Sequence, residues 1–168
     1  SLSTNLESEL QKLPYIKRIG KSYGRPCSIS YASAVPLDDE YNVNNMAFLG
    51  LIRSDKNAFD MFGYEIVRQY GPDSGHGIWL SETAFESLGM DPDNPLLPER
   101  WSNTDGLPFA GIIKDFAMTS ALDNGGSPAT AVFVYPDGVL PGNMGDFILE
   151  TDELTAENRN ELYGLCYD

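Results

Sequence analysis

The sequence predicts an α+β fold. Segments with apolar residues on every second position are interleaved with segments whose apolar residues recur at helical spacing, and the two kinds do not alternate as clean βαβ units. Clusters of Gly, Pro, Asp and Asn punctuate the boundaries. The chain of 168 residues is long enough for one domain of ordinary size or two small lobes sharing a core.

The elements follow in order. Thr4-Asn5-Leu6-Glu7 has a capping-box pattern, and Leu6, Leu10 and Leu13 recur at helical spacing before Pro14, so a helix is expected over Thr4–Leu13. Ile29 and Tyr31 alternate with Ser28, Ser30 and Ala32, which predicts a strand within Pro26–Ser33. A polar loop, Pro36–Asn45, leads to a second strand over Met46–Arg53, antiparallel to the first. Asp55 or Asn57 caps a helix that presents Phe59 and Phe62 and is closed by Gly63, and Tyr64–Tyr70 reads as a third strand. Ile78, Trp79 and Leu80 form a short strand that runs into a helix capped by Ser81. Ala84, Phe85 and Leu88 lie on one face of that helix, and Gly89 stops it. A long loop, Asp91–Pro108, carries four prolines and Trp101. Gly111, in the strand that follows, marks a close approach or a bend, and Ile112 and Ile113 are buried. A turn at 123–128 precedes a β-branched, aromatic strand over Ala129–Tyr135. Pro136–Gly145 is a linker to a last strand, Phe147–Thr151. The terminal helix, Thr155–Cys166, brings Leu162, Leu165 and Cys166 together.

Composition excludes several function classes. Hydrophobic residues make up 42% and charged residues 21%, a globular balance. Apolar runs such as Ala110–Ile113 fall far short of the roughly 20 residues of a membrane helix. The chain opens on Ser1 without a signal-peptide pattern, and it reads as a processed product or an excised piece of a longer protein. With 25 acidic against 11 basic residues the net charge is −14, and basic residues cluster only at Lys17, Arg18, Lys21 and Arg25. Nucleic-acid binding needs a basic face to release counterions, and anionic lipid would be repelled. Cys27 and Cys166 are read as two buried thiols, or as a disulfide in an oxidising compartment; that bridge would be worth about 4 kcal/mol or more because its loop is so long.

Little in the sequence points to chemistry. His76 is the single histidine, in a Gly75-His76-Gly77 turn, so no two-histidine metal site can be built. Walker, nucleophile-elbow and Cys-x-x-Cys patterns do not occur. Glu82 and Asp115 are the best-placed carboxylates for a hydrolase, but Glu82 is better explained by the helix N-terminus it opens and Asp115 by its neighbour Lys114. Asp91-Pro92-Asp93-Asn94 and Asp123-Asn124 read as turns rather than calcium loops. No catalytic residue, metal or cofactor is expected. Trp101, Asp123 and Asn124, in otherwise polar loops, are the expected partner contacts.

Four segments in order carry a resemblance to a known family. Leu10–Ile19 is similar to its opening helix with a Leu-Pro-x-Ile/Val exit. Ser54–Gly71, with Phe59, Phe62 and Gly63, resembles its Asp-x-x-Phe-Phe-x-x-Phe-Gly helix and following strand. Ile78–Gly89 resembles its strand, Asn/Ser-Glu, helix and Leu-Gly segment, and Gly111-Ile112-Ile113-Lys114-Asp115-Phe116 its Val-Gly-Val-Val-Lys-Asp-Phe strand. These belong to the MacB-like periplasmic core domain of FtsX-type ABC transporter permeases, and the match spans roughly residues 5–135. Arg68-Gln69-Tyr70-Gly71 stands where that family commonly has Gly-Arg.

The resemblance implies a porter-like lobe from residues 1–72 and 129–168 and an inserted β-rich lobe over 73–128. It also implies a non-enzymatic role on the periplasmic face of a bacterial inner membrane, coupling cytoplasmic ATP hydrolysis to export or mechanotransmission. The implied partners are membrane helices of the same chain, a cytoplasmic ATPase, a second permease copy and a periplasmic protein. The terminal helices would be membrane-proximal levers, with the loops at 91–108 and 123–128 distal. The alternative is a secreted or surface-anchored module whose tyrosines (Tyr15, Tyr23, Tyr31, Tyr41, Tyr64 and Tyr70) bind carbohydrate or peptide.

Overall fold

A computed structural model describes residues 2–26, 31–39, 42–116, 129–137, 140 and 145–167. The described elements run α1 (Leu2–Leu10), β1 (Ile16–Tyr23), β2 (Tyr31–Pro36), β3 (Met46–Ser54), α2 (Lys56–Phe62), β4 (Ile66–Gln69), β5 (Gly77–Ser81), α3 (Glu82–Ser87), β6 (Phe109–Ile113), β7 (Thr130–Val134), β8 (Asp146–Thr151) and α4 (Ala156–Tyr167). The strands form one mixed sheet in the order β4-β6-β5-β7-β3-β1-β8, with β2 paired to β3 beside this path. The pairs β3/β7 and β5/β6 are parallel and the others antiparallel. The fold is thus α+β, as the spacing predicts. β5 and β6, from the segment 73–128, lie inside the same sheet as strands from the flanking segments.

Period-two alternation gives this sheet two apolar faces. On one, Leu49, Leu51, Ile78, Leu80, Ala131 and Phe133 pack against α3 and the loop after it, through Phe85, Leu88, Met90 and Trp101. On the other, Ile52, Trp79, Val132 and Val134 pack against Phe59 of α2. The central strands β5 and β7 are buried on every residue, which explains their continuous apolar runs. In β6 the alternation slips. Ile78 faces Phe109, but the next residue, Trp79, faces Gly111, so Ala110 is an inserted bulge residue. That extra residue puts Ala110 and Ile113 on the α2 face while Ile112 stays on the α3 face.

The caps of α2 and α3 are those the sequence predicts, whereas α1 spans Leu2–Leu10, so Thr4 lies inside that helix rather than capping it and the helix stops short of Leu13. Of the two candidates for α2, Asp55 is the cap, accepting a hydrogen bond from the Ala58 amide at 2.8 Å, and Gly63 closes the helix with φ 68°. Ser81 caps α3, and Gly89 follows it at φ 64°. Asp55→Ala is expected to cost about 1 kcal/mol, read as a lower urea midpoint at unchanged slope.

Four expectations are corrected. β1 lies where the sequence was read as a helix exit. Its charged Lys17, Arg18 and Lys21 obscure the alternation, because β1 neighbours only β3 and the edge strand β8 and its side chains are largely half-exposed. The first predicted strand runs further than expected: β2, described over Tyr31–Pro36, continues past Ser33, and residues 27–30 of the prediction lie outside the described residues. The pairing of β2 with β3 is antiparallel, as expected. The terminal helix has no fully buried residue: Leu162 and Leu165 are half-buried, but Cys166 is exposed and does not join them. Cys166 is exposed and free rather than buried; Cys27 lies outside the described residues.

Candidate partner-binding surface

The sheet presents two contrasting edges. Beside β1 and β8 lie both terminal helices, α1 and α4, in contact with each other. α1 is anchored by the buried Leu10 and by a 2.6 Å pair between Glu7 and Lys21 of β1. At the junction from α1 to β1 sits Tyr15, also buried. Its carbonyl accepts from the Asp152 amide at 2.9 Å, and its hydroxyl donates to the Glu161 carboxylate of α4 at 2.8 Å.

The Tyr15 hydroxyl is pushed up to about 12, first by desolvation and then by Glu161, which would repel a phenolate. A raised tyrosine contributes stability that is complete below its ordinary value near 10 and is lost as pH rises through the folded value. Loss of stability between pH 10 and 12 is therefore expected, with Tyr15→Phe flattening that alkaline limb. Chemical denaturation at stepped alkaline pH checks this; identical limbs for the two proteins would contradict it.

The opposite edge, six strand steps away, is β4. At about 4.8 Å per step the two edges are roughly 29 Å apart. Ile66 and Val67 of β4 are each 50% exposed. Beside them an open groove of about 400 Å³ is lined by Tyr70, Pro95, Leu96, Leu97 and Phe109. Its floor is built by aromatic packing, with Tyr70 on Phe109 at 5.4 Å and Phe109 on Phe85 at 6.0 Å. The Arg68 guanidinium lies 4.4 Å over the Tyr70 ring, and the Tyr70 hydroxyl donates to the Pro92 carbonyl at 2.8 Å, tying the 91–108 loop to the sheet. Leu96 stands 70% exposed at the rim. The surface is apolar with aromatic walls, suited to receiving another apolar surface.

The predicted contact residues are placed differently. Trp101 is 3% exposed. Its ring meets Phe133 edge-on at 5.7 Å and its indole N–H donates to Ser33 Oγ at 3.2 Å. It is a core residue: the loop around it is polar, but the ring turns inward to cover the sheet. Asp123 and Asn124 lie outside the described residues. The groove residues Tyr70, Leu96, Leu97 and Phe109 were not singled out together, since they come from three separate segments.

The tyrosines do not assemble one binding face either. Tyr15 joins the terminal helices, Tyr64 packs on Phe59 and Phe116 under α2, and Tyr70 lines the groove. The side chains of Tyr31 and Tyr41 lie outside the description.

The carboxylates singled out for hydrolysis have structural occupations. Asp115 accepts from the Thr83 amide at 2.9 Å and from its hydroxyl at 2.5 Å, so it caps α3 from the neighbouring strand end. Lys114 pairs instead with Glu65 at 3.1 Å. Glu82 occupies the first turn of α3, where a carboxylate suits the helix dipole. Asp91 accepts from the Asp93 amide at 2.9 Å, a local turn. Among the described residues no three His, Cys, Asp or Glu side chains come together to hold a metal. No described helix is long and apolar enough to cross a membrane.

No family model and no curated protein matches the sequence. Solved structures share the fold. The periplasmic region of MacB from Actinobacillus actinomycetemcomitans aligns over 99% of this chain and 73% of that one, at TM-score 0.56 and 15% identity. The extracellular domain of the ABC-type transporter YknZ from Gram-positive bacteria aligns over 94% of this chain and 76% of that one, at TM-score 0.59 and 11% identity. The fold of this chain is that of the MacB-like periplasmic core domain.

Proposed function

We propose that this chain is the extracytoplasmic domain of an ABC transporter permease, with no catalytic centre of its own. The supporting observation is the fold shared with the MacB and YknZ domains, together with the meeting of both terminal helices at one edge of the sheet. In this reading α1 and α4 continue toward membrane helices of the same chain. A cytoplasmic ATPase moves those helices, and the domain passes the motion outward as a rigid body, in a dimer with a second permease copy. The work serves export or the control of a periplasmic partner protein.

The groove and the 91–108 loop lie by β4, the sheet edge opposite β8, so they are taken as the partner-facing end. Trp101 serves that end by holding the loop in place, and Asp123 and Asn124 remain proposed partner contacts. The two-lobe division, 1–72 with 129–168 and 73–128, is retained as a proposal in which the inserted segment contributes strands to the common sheet.

Reading the parent gene on either side of this segment tests the proposal. Apolar stretches of roughly 20 residues flanking both ends are expected. A signal peptide upstream and a stop codon immediately after residue 168 would overturn it. The second reading, a surface or secreted module binding carbohydrate or peptide, draws on the aromatic groove of Tyr70 and Phe109. A glycan and peptide screen separates the two, and Tyr70→Ala should abolish any hit that uses the groove.

A further inference from the structure

α4 is a helix of 12 residues, none fully buried; Asn158, Leu162 and Leu165 are half-buried along one face and the others are exposed. Isolated helices of that length are marginal in water, so its hydrogen bonds persist only while it is docked. It begins as a self-contained unit. Thr155 Oγ1 accepts from the Asn158 amide at 3.1 Å, and Asn158 Oδ1 accepts from the Thr155 amide at 3.2 Å. The segment joining it to β8 has no regular structure from 153 to 155. Just before that segment the chain is pinned twice, by the Asp152 amide on the Tyr15 carbonyl and by a 2.8 Å pair between Asp152 and Lys17.

Beyond the pin, among the described residues, the hydrogen bonds tying α4 to the rest of the fold come from Tyr15. Its hydroxyl reaches Glu161 at 2.8 Å and, more weakly, the Asn158 carbonyl at 3.4 Å. The last turn continues outward with Tyr163 and Tyr167 63% and 84% exposed. One residue therefore holds both the pivot, through its carbonyl, and the lever, through its hydroxyl.

We propose that α4 is a lever hinged at residues 152–155 and latched by the Tyr15 hydroxyl on Glu161, so that breaking this one contact loosens the helix while the sheet stays intact. Its swing is limited at the pivot by the backbone bond to Tyr15, which no side-chain substitution removes. The inference stands on these contacts alone and holds whether or not the chain is a permease domain.

Hydrogen exchange of the whole chain, followed by mass spectrometry, tests it. Tyr15→Phe keeps the ring and deletes the latch. Glu161→Ala deletes its acceptor at an exposed site, and Glu161→Gln keeps a neutral acceptor. Exchange over 156–167 is expected to rise roughly two- to tenfold in Tyr15→Phe and in Glu161→Ala, the range one net hydrogen bond gives. It should stay near the parent rate in Glu161→Gln. The double variant Tyr15→Phe/Glu161→Ala should exchange no faster than either single one, since both break the same contact. Peptides from β3 and β7 should be unchanged in every variant. Unaltered exchange in α4, additive effects in the double variant, or a uniform rise across the sheet would each overturn the latch.

Discussion

Trp79→Ala is expected to cost about 3–5 kcal/mol, a large part of the stability of a domain this size. The indole is 1% exposed. It stacks on Phe59 of α2 at 5.2 Å and lies against the bare backbone of Gly111, where an added Cβ would stand 2.6 Å from its ring. Removing it takes away the contact between α2 and the sheet at its centre. The indole N–H also donates to the Gly75 carbonyl at 2.9 Å, so alanine leaves a buried acceptor without its partner and adds to the cavity cost. Trp79→Phe should cost less than half as much, because it keeps most of the contact area and loses the hydrogen bond. Urea unfolding checks both. An unfolding free energy for the alanine variant within about 0.5 kcal/mol of the parent, the range of ordinary surface substitutions, would contradict the central role of this ring.

The second large effect is expected from the smallest change, Gly20→Ala. A Cβ at residue 20 would stand 2.5 Å from the Ala58 amide nitrogen, 2.7 Å from Ala58 Cα and 2.6 Å from the end of the Met61 side chain. Met61 can move aside. The backbone of α2 cannot, because Asp55 caps its N-terminus and Phe59, in its middle, is wedged in the core. The helix must lift off β1 as a unit, and about 3 kcal/mol, the upper end of overpacking, is expected. Circular dichroism through a thermal scan reads the loss. The test that separates overpacking from backbone effects is Met61→Ala in the same background, which should rescue only the part owed to the side chain. Full rescue by Met61→Ala would mean that α2 does not press on Gly20 through its backbone.

Both positions show where sequence reading reaches its limit. The elements themselves were largely legible, because each is signalled within a few residues. Asp55 and Gly63 bracket α2, Ser81 and Gly89 bracket α3, and the β-branched run of β7 announces a strand buried on both faces. Gly111 was legible as a close approach, and the structure adds what approaches it, the ring of Trp79. Gly20 was not, since a glycine among lysines and serines in a half-exposed strand gives no local hint that a helix lies on it. β1 was missed for the same reason.

The candidate surface was less legible than the fold. Trp101 looked like an exposed aromatic because its neighbours are polar, yet its ring fills the space over Phe133. The groove draws Tyr70 from one segment, Leu96 and Leu97 from a second and Phe109 from a third. Tyr15 and Glu161, which join the two ends of the chain, lie 146 positions apart.

Local signals, read residue by residue, determined the fold class, the caps of α2 and α3 and the close approach at Gly111. Those depend on spacing and composition, which act over one or two turns of chain. Tertiary structure alone decided which face of each strand is covered, that Trp101 is core, that the aromatic groove sits at the far edge from α1 and α4, and that Tyr15 bonds to Glu161 of α4. Those depend on which distant segments meet, and pairing across a mixed sheet leaves no periodic trace in either partner.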